Sequence, residues 1–215
     1  MRDMVKLCLA GILFSGGAVL AAEEERPIGD FDKLKASQGI SITVACGERP
    51  QAVLRGEAKE LADIKLYVED KTLHVERRAL IQGNVHEAKL FLTSSRKLTA
   101  IATSAGIDLD VPACAVSPEH LDITASTGSD IKLAGKTETL VIDASAGADI
   151  KPRKGERIDV GTAKISAKMG AEIQLCRVGK LEGDAGMGAN IAAESVDSER
   201  VHTYMGADVT TKACQ

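Results

Sequence analysis

Between about residues 98 and 211 apolar and polar side chains alternate, and glycines interrupt the alternation at regular intervals. One phrase recurs six times: Ala105-Gly106-Ile107-Asp108-Leu109, Thr127-Gly128-Ser129-Asp130-Ile131, Ala146-Gly147-Ala148-Asp149-Ile150, Met169-Gly170-Ala171-Glu172-Ile173, Met187-Gly188-Ala189-Asn190-Ile191 and Met205-Gly206-Ala207-Asp208-Val209. Its glycines are separated by 22, 19, 23, 18 and 18 residues. With glycine as position zero, position −5 holds Ile101, Ile123, Ile142, Ile165, Gly183 and Val201. Position +3 holds Leu109, Ile131, Ile150, Ile173, Ile191 and Val209. Between the apolar columns stand Asp122, Thr124, Lys164, Ser166, Glu182, Asp184, Arg200 and His202. A period of two with no helical periodicity predicts strands buried on one face. A near-constant interval of about 20 residues predicts that each unit is one coil of a parallel β-solenoid, stacked only on its neighbours.

Parity assigns the small residues at −3, −1 and +1 to the interior together with the aliphatics at −5 and +3. The glycine falls on the outward parity, where its use is a bend with φ > 0 between one sheet face and the next. Valine at Gly147 or Gly170 is therefore expected to damage folding.

The amino-terminal part fits the columns less closely. Leu34 to Val44 reads as a first coil, with Ser41 where later coils carry an acid. Glu57 to Asp63 reads as a short helical turn, Ile64–Val68 and Leu73–Arg77 as a β-hairpin, and Ala88–Thr93 as a further strand. These elements predict an irregular segment capping one end of the solenoid, where an open edge would invite association. The other end is followed only by Lys212 to Gln215, so a partner or a second copy is expected to close its edge.

Residues 1–21 carry Arg2 and Lys6, then an apolar run from Leu7 to Leu20 and small residues before Glu23-Glu24-Glu25. This is the layout of a secretory signal peptide with cleavage after Ala21; the run is shorter than the ~20 residues of a spanning helix. Residues 22–215 then form a single domain, exported to the periplasm, the outer-membrane surface or the exterior. The formal net charge of −4 becomes one unit more negative without the leader, a balance that does not favour nucleic acid. Four cysteines remain: Cys46, Cys114, Cys176 and Cys214. They allow three pairings in an oxidising compartment. Cys46 with Cys114 is the easier bridge. Cys176 and Cys214 lie two coils apart and are not expected to join unless the last turn folds back.

Phe31-x-x-Leu34 leading into Gly39-Ile40-Ser41-Ile42-Thr43-Val44, then Val53 to Glu57, Val68 to Val75 and the recurring Gly-x-Asp-Ile, resemble the head GIN domain family of auto-transporter adhesin heads. The resemblance spans about residues 28–211. It implies a right-handed, exported β-solenoid without an assigned enzymatic activity, and it assigns no site residues.

The columns also place Asp108, Asp130, Asp149, Glu172, Asn190 and Asp208 on one outer edge, about 4.8 Å apart. Neighbouring carboxylates repel by about 1 kcal/mol in water, so something must offset them. Calcium is one answer. The preferred one is that each acid accepts hydrogen bonds from the backbone N–H groups of its own turn, since no nine-residue calcium-binding repeat is present. His74, His86, His120 and His202 lack metal-ligand spacing. Lys151, Arg153, Lys154 and Arg157 beside Asp143, Asp149 and Glu156 admit a polysaccharide lyase, which needs a base and a cation to neutralise a uronate. Against it stand the absence of Trp and the two Tyr, which leave little surface for stacking sugars. The reading that follows is a non-catalytic, adhesin-like or structural module of the envelope, with an unnamed protein or glycan partner and no cofactor.

Overall fold

The computed structural model describes residues 22–78 and 88–214. The leader reading and His86 fall outside them. In chain order the strands are β1 (Ala22–Arg26), β2 (Lys33–Ser37), β3 (Ile40–Cys46) and β4 (Gln51–Gly56), then helix α1 (Ala58–Ala62). β5 (Ile64–Glu69), β6 (Thr72–Arg77), β7 (Ala88–Ser94), β8 (Ala100–Ser104) and β9 (Asp108–Val111) follow. The remainder comprises β10 (His120–Ala125), β11 (Asp130–Leu133), β12 (Gly135–Ala144), β13 (Asp149–Pro152), β14 (Ile158–Ala167), β15 (Glu172–Gly186), β16 (Asn190–Tyr204) and β17 (Asp208–Thr211). From β8 to β16 every strand pairs in parallel with the equivalent strand of the coils before and after it, and β17 ends the stack on β16.

The register is the one the repeat predicts. Ile101, Ile123, Ile142, Ile165, Gly183 and Val201 stand opposite one another in turn, as do Leu109, Ile131, Ile150, Ile173, Ile191 and Val209. The isoleucines of both columns are buried, each worth about 1.5–3 kcal/mol against exposure. Like side chains stack on like, so the core is a set of columns along the solenoid axis. The longer coils place their extra residues in excursions, one containing a 3-10 turn at Ala113–Ala115 and one the loop 153–157.

The turns carry positive φ at two residues, not one. Ala146 has φ 52° and Gly147 72°, and the other five turns match them closely. The N–H of Ala148 donates to the Ser145 carbonyl at 3.2 Å, closing a turn of type I′. This corrects the parity reading at position −1. Ala105, Thr127, Ala146, Met169, Met187 and Met205 are exposed, because a two-residue reversal lifts its tip out of the strand and suspends the alternation. Positions −3 and +1 in the four middle coils face the core as expected.

At the amino-terminal end chain order and spatial order part company. β2 and β3 form the first coil and pair with β8 and β9. The hairpin of β5 and β6 is present, with Val68 opposite Leu73. Yet β6 also pairs in parallel with β2, and β7 with β3, so these later strands build a layer outside the first coil. Antiparallel β4 covers β7, and β1 covers β4, an end that the solenoid pattern does not continue. The Arg26 guanidinium binds the carbonyls of Leu61 and Ile64, fastening β1 to α1. Buried Arg77 donates to Glu60 at 2.6 Å.

At the other end, no strand among the described residues pairs with the outer edge of β17. Lys212 donates its N–H to the Ala193 carbonyl as the last rung of the β16–β17 ladder, and beyond it the tail folds back, with Gln174 donating to the Ala213 carbonyl at 3.1 Å. Cys214 thereby reaches Cys176, with Cα atoms 5.2 Å apart, and the two form a disulfide. The repeat alone spaces them too far apart; it is the departure from the repeat after Lys212 that joins them. A second disulfide links Cys46 to Cys114.

Candidate functional site

The outward face after each turn gathers the acids. Ser41, Asp108, Asp130, Asp149, Glu172, Asn190 and Asp208 are direct partners from layer to layer. The turn N–H groups do not satisfy them. The Gly147 N–H donates to the Met169 carbonyl and the Asp149 N–H to the Ser129 carbonyl, continuing the interlayer ladder through the bend. The offset comes instead from lysines two residues further on. Lys132 Nζ lies 2.9 Å from Asp108 and 4.0 Å from Asp130. Lys151 Nζ lies 3.0 Å from Asp130 and also binds Asp149. Each ammonium bridges two layers, so positive charge from the neighbouring column stands against Asp108, Asp130 and Asp149. Later in the stack Asn190 replaces an acid and accepts from Thr210, and Lys212 stands 3.9 Å from Glu172. The phrases Asp130-x-Lys132 and Asp149-x-Lys151 are the sequence signal for this ladder.

The hydrogen bond to Asp108 raises the Lys132 ammonium above its ordinary value, against partial burial. For Lys151 burial acts downward, and hydrogen bonds to Asp149 and Asp130 outweigh it, so the net shift is again upward. A lysine whose value is higher in the folded chain than in the unfolded one stabilises fully below the unfolded value and ceases to do so as pH rises through the folded value. Stability is therefore expected to fall above about pH 10.4. A K132M/K151M variant should show a shallower alkaline decline in melting experiments. The lysine side chains are about one third exposed, so each pair is worth only about 0.2–1 kcal/mol.

Among the described residues no group of three or more His, Cys, Asp or Glu side chains could hold a metal ion. Because ammonium groups already stand between the carboxylates, adding calcium to chelated protein is expected to leave its melting temperature unchanged. A clear rise would show that calcium displaces the lysines.

Of the basic residues considered for lyase chemistry, Lys151, Arg153 and Arg157 are engaged within the chain, while Lys154 is exposed in the loop. Arg153 binds Asp110 and Glu156, and Arg157 binds Glu194 at 2.7 Å and Asp159 at 3.5 Å. The Glu194 carboxylate holds the Arg157 guanidinium more firmly charged than usual. The histidines are dispersed: His74 stacks on Tyr67, His120 binds Asp122, and His202 is exposed. A groove of about 390 Å³ opens among β12, β14 and β15, lined by Val141, Asp143, Lys164, Ser166, Glu182 and Gly183. Its Glu182 carboxyl is held below the usual carboxylate range by a hydrogen bond from Lys180, a neighbour that stabilises its charge.

The fold, the turns and their order along the chain meet a described family at this point. A model for "Putative auto-transporter adhesin, head GIN domain" matches residues 30–194. The chain belongs to this family. The head GIN domain described here is similar in fold to a crystal structure titled "putative adhesin" from Bacteroides fragilis. That likeness has a TM-score of 0.71 at 13% identity, covering 91% of this chain and 98% of that one. It is also similar to putative adhesins from Parabacteroides distasonis (TM-score 0.53, 11% identity, 91% and 98% covered) and Parabacteroides merdae (0.52, 11%, 89% and 96%). At such identities the likeness is one of fold. No curated protein matches the chain in sequence. No helix of the described head GIN domain is long and apolar enough to cross a membrane.

Proposed function

We propose that this head GIN domain is a non-catalytic binding module of the bacterial cell envelope, exported through its leader and acting in adhesion to a surface protein or glycan. The observation that carries the reading is the internal matching of charge along the solenoid. Lys132, Lys151, Arg153 and Arg157 each face a carboxylate of this chain. A lyase needs a cation free to neutralise the substrate carboxylate and a base beside it; here those side chains tie layer to layer. What remains for function are long outer faces that repeat the same contacts at each layer, a geometry suited to extended or repetitive ligands. Family membership supports an adhesin-like role and an envelope location.

The test is protease accessibility of the protein on intact cells, with an outer-membrane-permeabilised control. Cleavage on intact cells is the expected result. Access only after permeabilisation would replace adhesion with a structural role in the periplasm. Saturable glycan binding without product is expected on a polysaccharide panel, and release of unsaturated ends would overturn the non-catalytic reading.

A further inference from the structure

Met169, Met187 and Met205 occupy the first central position of three successive turns, and they are the only methionines beyond Met1 and Met4. Their exposures are 51%, 43% and 75%, so packing does not explain them. Conformation does not explain them either. Their φ values are 50°, 51° and 52°, in the left-handed region that favours Gly, Asn and Asp in a type I′ turn and costs another residue about 1–2 kcal/mol. The three earlier turns meet the same requirement with Ala105, Thr127 and Ala146. An exposed, conformationally costly position filled three times in succession by methionine leaves the thioether itself as the distinguishing chemistry.

The register stacks these residues in adjacent layers. The N–H of Gly147 donates to the carbonyl of Met169, that of Gly170 to Met187, and that of Gly188 to Met205, at 3.0, 3.0 and 3.1 Å. The three residues are thus pinned in adjacent layers about 4.8 Å apart, each with a long unbranched side chain able to swing toward a common point. Tyr204, exposed like the methionines, lies across Gly186, where an added Cβ would come within 2.3 Å of its ring atoms. Gly186 and Tyr204 directly precede Met187 and Met205, so an aromatic ring flanks the ridge. Met169, Met187, Met205 and Tyr204 are the exposed large hydrophobic side chains of the described chain, and all four belong to these last turns.

We propose that Met169, Met187 and Met205 form a trithioether site for a soft monovalent d10 cation of the Cu(I) class. Thioether sulfur selects Cu(I) over the hard cations that carboxylates prefer. The proposal rests neither on the acid and lysine ladder nor on the proposed adhesion. Ag(I) in chloride-free buffer is the suitable probe, because it needs no reductant and so spares the two disulfides. With methyl-13C-methionine in the full chain, Ag(I) is expected to shift the methyl signals of all three residues together, saturating at one ion for the ridge. By titration calorimetry, M169L/M187L/M205L is expected to bind one Ag(I) fewer per chain than the unmodified protein. M187L, which removes the central ligand, is expected to weaken that site at least tenfold. Unmoved ridge methyl signals would overturn the proposal even if the variants failed to fold. Equal stoichiometry in the folded triple variant would also overturn it, and would leave the ridge as an apolar contact surface.

Discussion

Alanine at Gly183 is expected to unravel the carboxyl-terminal layers of the solenoid. Gly183 has φ 141°, and a Cβ there would lie 1.8 Å from the Ile165 carbonyl oxygen and 2.7 Å from its carbon. Both obstacles are backbone atoms of the preceding layer, so no rotamer change relieves them. Overpacking of this kind costs about 3 kcal/mol or more, and in a domain of this size each kcal/mol lowers the melting temperature by about 2–4 °C. A fall of about 6–12 °C is expected. Since each coil contacts only its neighbours, the loss should be local, with hydrogen exchange accelerated across residues 183–211 and unchanged in β10 and β11. The repeat alone points the other way, because the same column holds isoleucine in four other coils. Gly147 offers the contrast: its φ is 72°, and nothing stands within 4 Å of an added Cβ. Valine there meets backbone strain without a clash, so the damage expected of it should be smaller than that of Gly183→Ala. Unchanged melting and exchange in Gly183→Ala would show that the layers separate readily to admit a methyl group.

Serine at both Cys46 and Cys114 is expected to lower stability by about 4 kcal/mol. The bond joins residues 68 apart and links β3 of the first coil to the 3-10 turn of the following excursion. In the chain-entropy account the effect comes from the unfolded state, which regains the freedom of a long open loop. The melting temperature should drop by about 8–16 °C, and reductant should shift the unmodified protein similarly while leaving the variant unmoved with respect to this bond. The Cys176–Cys214 bond spans 38 residues and fastens only the tail. In the same account its shorter loop is worth only slightly less, roughly 4 kcal/mol, and its removal should in addition expose residues 212–214 to carboxypeptidase. A C46S/C114S variant melting within about 2 °C of the unmodified chain would mean that the layered core already restricts that loop.

Several features were legible because they recur at a fixed interval. The Ile101 to Ile165 column, the Leu109 to Val209 column and the alignment of Asp108 through Asp208 all follow from one period, since stacking equal coils makes register a consequence of length. The disposition of charge was half legible: the acids were placed by the period. Their partners Lys132 and Lys151 stand in only two coils, and the choice between turn N–H groups and ammonium groups depends on where the interlayer backbone bonds go. The alternation failed at Met169 and its equivalents because a type I′ turn suspends the strand period for two residues.

What the sequence by itself determined about this protein is the solenoid, its columns, its turns and its family, all of them properties of translation along the chain. The tertiary structure alone decided that β6 and β7 form a layer outside the first coil, that Cys214 returns to Cys176, that Gly183 rather than Gly147 sits against backbone, and that the column of Met169, Met187 and Met205 is turned out to solvent. The first three depend on contacts between residues that the period does not relate, or on which atoms of two stacked layers actually touch, and the last on the backbone geometry of the turn.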